Sequence, residues 1–380
     1  MERNVAIELA KQNINLKVIG LKDDFSIEDI NRWYPVVPEH TKILGPRTIG
    51  YSPTLLSELE QVSAQLGHVH TIWDYTAYAI YKWAKSKKVP FICSVHGSLN
   101  KRALAVSPFK KSIASKLYVK KVLEEVNCMQ VSTLDEYRQV RKFGFAKPIC
   151  VISNGIHLPD RQEKFDIPWK SEKTAGKKIL LYIGRIHPTK GIHHLVSGWD
   201  LIAKKHASNL KEWHLVLVGF GFYEKSVYED KIKSQIDDLN LKNDITILPP
   251  HFGEKMKACY EHCDSFILPS EHEGFSMALL TAMAYQKVVL MTPECQFPEA
   301  FEKDAAIEIG CSPEGVKKGL LKLFDCSEDN KKSIANRGYS IVAEKYTWEK
   351  ITGQLIDVYS WLINSDTPPV SVVDDEFTYK

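Results

Sequence analysis

Short apolar runs of strand length alternate along the chain with longer stretches whose apolar residues recur at helical spacing. The alternation is clearest from Ser265 to Leu290, SFILPSEHEGFSMALLTAMAYQKVVL. Phe266, Ile267 and Leu268 form an apolar run stopped by Pro269-Ser270, which predicts a strand buried on both faces of a parallel sheet. Gly274 is expected to open a helix whose apolar face carries Met277, Ala278, Leu280, Met283 and Ala284, and Val288-Val289-Leu290 starts the next strand. The turn Glu271-His272-Glu273-Gly274 then lies at the carboxyl end of a strand and the amino end of a helix. In open α/β sheets that edge binds ligands, and helix N–H groups there favour anionic or hydroxyl oxygens. Glu273 is suited to accept hydrogen bonds from two adjacent sugar hydroxyls, with the amides of Gly274, Phe275 and Ser276 beside it. The competing reading is a first-turn carboxylate that only complements the helix dipole.

The same reading extends in both directions. Met1 to Lys11 is an amphipathic helix, and strands are predicted at Leu16–Leu21, Val69–Trp73, Phe91–Val95, Cys128–Ser132 and Ile149–Ile152. Helices at Tyr75–Lys87 and Asp135–Lys142 separate them, the spacing of parallel crossovers. Further strands are predicted near Ile179–Ile183, Leu215–Val218, Ile245–Leu248, Phe266–Leu268, Val288–Met291 and Ala306–Ile309, followed by helices at Val316–Phe324, Lys331–Tyr346 and Trp348–Ile363. The expected organisation is an α/β domain over 1–158, a polar linker over 159–178, a doubly wound α/β domain over 179–346, a last helix over 347–364 packing back toward the first domain, and a flexible tail over 365–380.

Composition narrows the function classes. With 50 Lys+Arg against 47 Asp+Glu the net charge is +3, which gives no footprint for nucleic acid. No apolar run reaches membrane-spanning length, and Met1-Glu2-Arg3-Asn4 leads into an amphipathic helix rather than a signal-peptide core. The eight cysteines are scattered and read as reduced, buried thiols of a cytoplasmic protein. Cys259, His262 and Cys263 lie in one predicted helix with no second ligand pair at zinc spacing, so no metal is expected.

Three more stretches carry candidate chemistry. His96-Gly97 ends a strand on the ligand-binding edge, where a histidine is either structural or functional. Gly184-Arg185-Ile186-His187-Pro188-Thr189-Lys190-Gly191 joins a strand to a helix, and Arg185 and Lys190 beside a helix amino end suit a diphosphate, though either alone is an ordinary surface base. Between Lys101 and Lys121 stand seven basic side chains and no acid, either a solvated helix face or an electrostatic contact with an anionic membrane surface or a phosphate-bearing acceptor. Gly219-Phe220-Gly221, followed by Phe222 and Tyr223, lacks the third glycine of a dinucleotide fingerprint and is not read as a nicotinamide site.

Taken together, Ser94-Val95-His96-Gly97, Val151-Ile152-Ser153-Asn154-Gly155-Ile156, Gly184-Arg185 with Lys190-Gly191, Pro269-Ser270 through Glu273-Gly274-Phe275-Ser276, and Cys295-Gln296-Phe297-Pro298-Glu299 resemble the family-four retaining glycosyltransferases (group 1). The resemblance runs over nearly the whole chain. It implies the GT-B fold, two facing Rossmann-like domains, and transfer of a sugar from a nucleotide-sugar donor to a glycan or lipid-linked acceptor, with no metal and no cofactor. It implies that Arg185 and Lys190 hold the donor diphosphate, that Glu273 and the following amides read the sugar hydroxyls, and that His96 contacts the donor sugar. Gly184, Gly274, Phe275, Ser276 and Thr281 are the implied donor-binding positions.

Two departures from the family pattern stand out. Thr281 occupies the position where the family usually carries a second glutamate for the donor ribose. The chain also begins at the helix that should follow the family's first strand and glycine-rich loop, so the first domain is expected to lack that strand and to leave its neighbours unpaired. A hexosyltransferase of polysaccharide or glycoconjugate synthesis, cytoplasmic and peripheral at the inner membrane face, is the leading expectation. A non-catalytic sugar-nucleotide-binding GT-B protein and a GT-B sugar-nucleotide epimerase are the alternatives.

Overall fold

The computed structural model describes residues 1–160, 162–221 and 226–373. They form two compact units, one of Met1–Gly155 with Trp348–Lys380, the other of Ile156–Thr347.

In the first unit β1 (Ile19–Leu21) pairs in parallel with β2 (Glu39–Thr41) as a separate small sheet. β3 (Gly67–Val69), β4 (Phe91–Ser94), β5 (Cys128–Val131) and β6 (Ile149–Val151) form the main parallel sheet in that spatial order. Its residues alternate between two cores, as the period of a strand requires. Phe91, Cys93, Met129 and Ile149 pack with the Tyr75–Lys87 helix on one face. Ile92, Cys128 and Cys150 pack on the other with Val5 and Leu9 of the Glu2–Lys11 helix and with Trp348, Ile351, Leu355 and Val358 of the Trp348–Asn364 helix. The apolar stripe of that last helix is therefore buried packing.

Several boundaries differ from the sequence expectation. Only Ile19–Leu21 of the first predicted strand is extended, and it pairs outside the main sheet. β3 ends at Val69 rather than Trp73, so His70 to Trp73 form a loop in which Ile72 is nonetheless fully buried. Burial without ladder bonding gives a loop the apolar signature of a strand.

The second unit is a continuous six-stranded parallel sheet. β7 (Lys178–Ile183), β8 (Trp213–Val218), β9 (Ile245–Leu248), β10 (Ser265–Leu268), β11 (Val288–Met291) and β12 (Ile307–Glu308) lie in the order β12-β11-β10-β7-β8-β9. Order reverses at β7 and β10, so the loops leaving those two strands flank the topological switch point, where doubly wound folds bind ligands. Every residue of β8, β10 and β11 is buried, which explains why they are apolar apart from His214 in β8 and Ser265 at the start of β10.

The segment read as a linker packs onto this unit: Trp169 joins its core, and Lys257 pairs with Glu163 at 2.7 Å. The tail is also partly ordered, because β13 (Val372–Val373) adds antiparallel to the β6 edge, with Val372 opposite Cys150. Exposed backbone groups on an edge strand favour such an addition. Residues 374–380, with Asp374-Asp375-Glu376, and Phe222 and Tyr223 lie outside the described residues. Cys311 and Cys326 are only partly buried, unlike the other six cysteines.

Candidate functional site

In the second unit the candidate residues converge on the switch point. β7 delivers Gly184 and Arg185, and a short 3-10 turn, Pro188–Lys190, presents Lys190 before the Ile192–Lys205 helix begins. Gly191 makes this turn possible. Its φ is +65°, and a Cβ there would stand 1.9 Å from the Pro269 carbonyl oxygen, so only glycine lets the β7 loop lie against the end of β10. The Glu271 N–H donates to the Thr189 carbonyl at 2.9 Å and ties the two loops together.

On the β10 loop Glu273 is buried and accepts from two side chains at one oxygen. Lys190 Nζ lies 2.5 Å from Oε1, and Ser270 Oγ donates to it at 2.6 Å. The Glu273 N–H donates to the Glu294 carbonyl at 3.0 Å, and Thr292 Oγ1 donates to the Ser270 carbonyl at 2.6 Å. The carboxylate is thus held in place by groups from the loops around it. An orienting shell of this kind keeps a side chain within reach of its productive geometry. Arg185 is exposed at the same edge. Its carbonyl accepts from the fully buried Tyr182 hydroxyl at 2.9 Å, and burial raises the Tyr182 pKa well above its ordinary value, so the phenol stays a donor.

The helix after the loop is Met277–Ala284, three residues later than Gly274. Ser276 is its N-cap: the hydroxyl accepts from the Leu279 N–H, and the carbonyl accepts from the Leu280 N–H. A capping serine favours extended backbone at its own position, and this moves the boundary. Gly274 is exposed, and a Cβ added there would meet no atom within 4 Å, whereas Phe275 is half-buried with its ring 5.8 Å from Tyr346. The Gly184 N–H is committed to the Val218 carbonyl at 3.2 Å. Thr281 Oγ1 donates to the Met277 carbonyl one turn earlier at 2.7 Å, so its proton is spent inside the helix.

His96 belongs to the first unit. It follows β4 with φ +47°, and Gly97 continues at +72°. The Gly97 and Ser132 N–H groups both donate to the Glu136 carboxylate, the latter at 2.7 Å, which fixes this turn. His96 Nε2 lies 3.1 Å from His70 Nδ1, and the rings stack with an interplanar angle of 4°. Behind them runs a buried polar chain. Tyr359 Oη meets His68 Nδ1 at 2.6 Å, His68 Nε2 meets Ser94 Oγ at 2.7 Å, and that hydroxyl donates to Gln130 Oε1 at 2.5 Å. Burial lowers the pKa of all three imidazoles, that of His70 to about 4 with the neighbouring His96 contributing. They are uncharged at neutral pH.

The sequence pattern singles out Glu273, Lys190 and Arg185 and misses Ser270, Tyr182, His68 and His70. Ser270 stands directly before the named turn, and the alternation His68-Val69-His70 at a strand end is a usable signal. In the Cys259, His262 and Cys263 group His262 Nε2 engages the Phe165 carbonyl at 2.7 Å, and burial pushes both thiols up to about 12.

Residues 163–339 match the family described as glycosyl transferases group 1, and residues 3–159 match Glycosyltransferase Family 4. A 2-deoxystreptamine N-acetyl-D-glucosaminyltransferase of Niallia circulans is 28% identical over 229 residues, 57% of this chain and 55% of that one. A GDP-mannose:cellobiosyl-diphosphopolyprenol alpha-mannosyltransferase of Xanthomonas oryzae pv. oryzae is 20% identical over 335 residues, 82% of this chain and 80% of that one. The chain spans about half the length of most of the curated relatives it matches. Among solved structures, Anabaena HepE in complex with UDP and glucose superposes with a TM-score of 0.71 at 15% identity, over 94% of this chain and 95% of that one. That likeness establishes the GT-B fold. With both halves matched in sequence, the chain belongs to the group 1, family-four glycosyltransferases.

Proposed function

We propose that the protein is a retaining hexosyltransferase that moves a sugar from a nucleotide-sugar donor to a hydroxyl of a glycan or lipid-linked acceptor without a metal ion. The observation that carries this reading is the Lys190–Glu273 pair at the switch point, held by Ser270, with the exposed Arg185 on the same loop after β7 as Lys190. In the donor complex Arg185 and Lys190 take the diphosphate, and Glu273, with the Gly274, Phe275 and Ser276 amides, takes the sugar hydroxyls. Gly184 and Thr281 complete the donor site of this unit.

The bond from the anomeric carbon to the diphosphate oxygen breaks while the acceptor oxygen bonds to that carbon on the same face. The acceptor proton passes to the departing phosphate oxygen. Negative charge grows on the leaving group, and preorganised cations there lower the barrier. The complex of HepE with UDP and glucose supports a nucleotide-sugar donor, and the diphosphopolyprenol acceptor in the name of the Xanthomonas relative supports a lipid-linked one. Polysaccharide or glycoconjugate synthesis is the corresponding process.

A cytoplasmic protein working on lipid-linked acceptors would meet an anionic membrane face. In the Lys101–Lys121 stretch Val106, Phe109 and Leu117 are 65%, 77% and 65% exposed, beside exposed Lys116, Lys120 and Lys121. The side chains of Lys101, Arg102 and Lys110 lie outside the described residues. Apolar tips among lysines suit insertion between anionic headgroups. Flotation with anionic vesicles at low salt is expected to carry the protein upward, less so for Phe109→Ser; no flotation would rule this surface out. No helix of the described residues is long and apolar enough to cross a membrane.

The second reading, a sugar-nucleotide-binding protein without turnover, draws on the committed Thr281 hydroxyl. Calorimetric titration with UDP, GDP, ADP and their sugar conjugates, alongside Glu273→Ala and Arg185→Ala, tests the donor site. One nucleotide class bound and weakened by both substitutions is the expected result. Transfer or donor hydrolysis abolished by Glu273→Ala separates the enzyme from the silent binder.

A further inference from the structure

The first turn of the Ile192–Lys205 helix carries adjacent imidazoles, His193 and His194, whose ring centroids are 3.9 Å apart. Both point at one carboxylate on the β10 loop: Glu271 Oε1 lies 3.7 Å from His193 Nε2 and 3.6 Å from His194 Nε2. One ligand atom from each of the three residues lies within 4.8 Å of the other two. All three side chains are partly buried, with relative exposures of 33%, 22% and 36%.

We propose that His193, His194 and Glu271 bind a divalent first-row transition ion of the zinc class. Ligands at about 2.0–2.2 Å from zinc in a tetrahedron stand roughly 3.3–3.6 Å from each other, so the two distances to Glu271 need only a small contraction around an ion, and the imidazole nitrogens, within 4.8 Å of each other, draw together with them. Two imidazoles and one carboxylate leave a fourth position for water. His193 has the outer partner that metal-binding histidines normally have. Its Nδ1 meets the Tyr228 hydroxyl at 2.9 Å, which leaves Nε2 as the metal-facing atom. The loop end of the site is also anchored, since the Glu271 N–H is bonded to the Thr189 carbonyl.

This site is separate from the proposed transfer chemistry, which needs no ion, but it shares a loop with it. Glu271 is two residues from Glu273, and His193 is three residues from Lys190. An ion bridging the helix to the loop cross-links the two segments that carry the Lys190–Glu273 pair and stiffens them.

The test is calorimetric titration of zinc chloride into the full, chelator-treated chain, compared with His193→Gln/His194→Gln, Glu271→Gln and Tyr228→Phe. The Glu2, His70 and His96 ligand atoms also lie close together, so His70→Gln serves as the control for that group. One equivalent of zinc is expected at the proposed site. It should be lost in the double histidine variant, retained in His70→Gln, and weakened about tenfold or more in Tyr228→Phe. Zinc should also raise the thermal midpoint of the wild type and not of the double variant. No zinc binding by the wild type would overturn the proposal, as would the same stoichiometry and affinity in the double variant. If that variant fails to fold by circular dichroism, Glu271→Gln decides, because this substitution keeps the size of a partly exposed side chain and removes only its charge: zinc bound as tightly as by the wild type would then overturn the proposal, and weakened binding would support it.

Discussion

The carboxyl ends of the two parallel sheets are built from opposite chemistry. In the second unit the edge is ionic, with Lys190 paired to a buried Glu273 and Arg185 exposed nearby. In the first unit the edge is a stack of imidazoles, His68 and His70 partly buried and His96 exposed, whose pKa values lie below the ordinary value, with a polar chain from Tyr359 to Gln130 behind it. Fixed cations suit a ligand whose charge is permanent, such as a diphosphate, because they need no proton to act. Neutral imidazoles suit hydroxyls, since each ring offers a donor and an acceptor. The same topological position thus carries two chemistries, each suited to a different kind of oxygen.

The largest effect that would break this contrast is on turnover. Arg185→Ala is expected to lower kcat by about 10²–10³ in steady-state transfer assays, the usual cost of losing one preorganised charge-stabilising group. Unchanged turnover with every donor that binds would remove Arg185 from the chemistry. Next comes a matched pair of glycine substitutions, one in each edge loop. Gly191→Ala places a Cβ against the Pro269 carbonyl and should destabilise the second unit by about 2–5 kcal/mol in denaturant unfolding. Gly97→Ala has only Asn100 Nδ2 at 3.7 Å and should cost about 1 kcal/mol, from its positive φ alone. Equal costs would mean that loop crowding does not distinguish the two edges.

Thr281→Glu should tighten nucleotide-sugar binding by about tenfold, because a carboxylate replaces a hydroxyl already bonded to Met277. A further expected effect is on pH dependence. The folded-state pKa of His70 is lowered to about 4 from 6.5, mainly by burial, so the unfolded chain takes up its proton first as pH falls. The stability owed to neutral His70 is complete above pH 6.5 and is lost progressively toward pH 4. Thermal midpoints measured across that window should fall in the wild type and fall less in His70→Gln.

The second unit is the more legible of the two in the sequence, for a physical reason. β8, β10 and β11 are buried on both faces, so each is apolar apart from His214 and Ser265. β3 instead reads Gly-His-Val, and the buried Ile72 beyond it imitates a strand from within a loop. The start of the Met277–Ala284 helix is easily misplaced because Gly274 resembles a helix opening, while the Ser276 cap fixes it. Arg185, Lys190 and Glu273 are recognisable as types in a pattern. Their mutual arrangement is not, because the Lys190–Glu273 bond joins residues 83 positions apart. His68 and His70 escape notice because an imidazole chain announces itself only once Ser94, Gln130 and Tyr359, from three other elements, are brought beside it.

The chain leaves the first unit at Gly155 and re-enters it at Trp348, so the second unit is an insertion within the first. During synthesis its entire Ile156–Thr347 span emerges before the Trp348–Asn364 helix exists. Until then Ile92, Cys128 and Cys150 lack the cover of Trp348, Ile351, Leu355 and Val358. Domains tend to fold as their own chain becomes complete. Here the half that begins first finishes last, and a ribosome stalled with Thr347 just clear of its exit tunnel and the Trp348–Asn364 helix still inside would display a finished second unit and a first unit with one face of its sheet covered only by Val5 and Leu9.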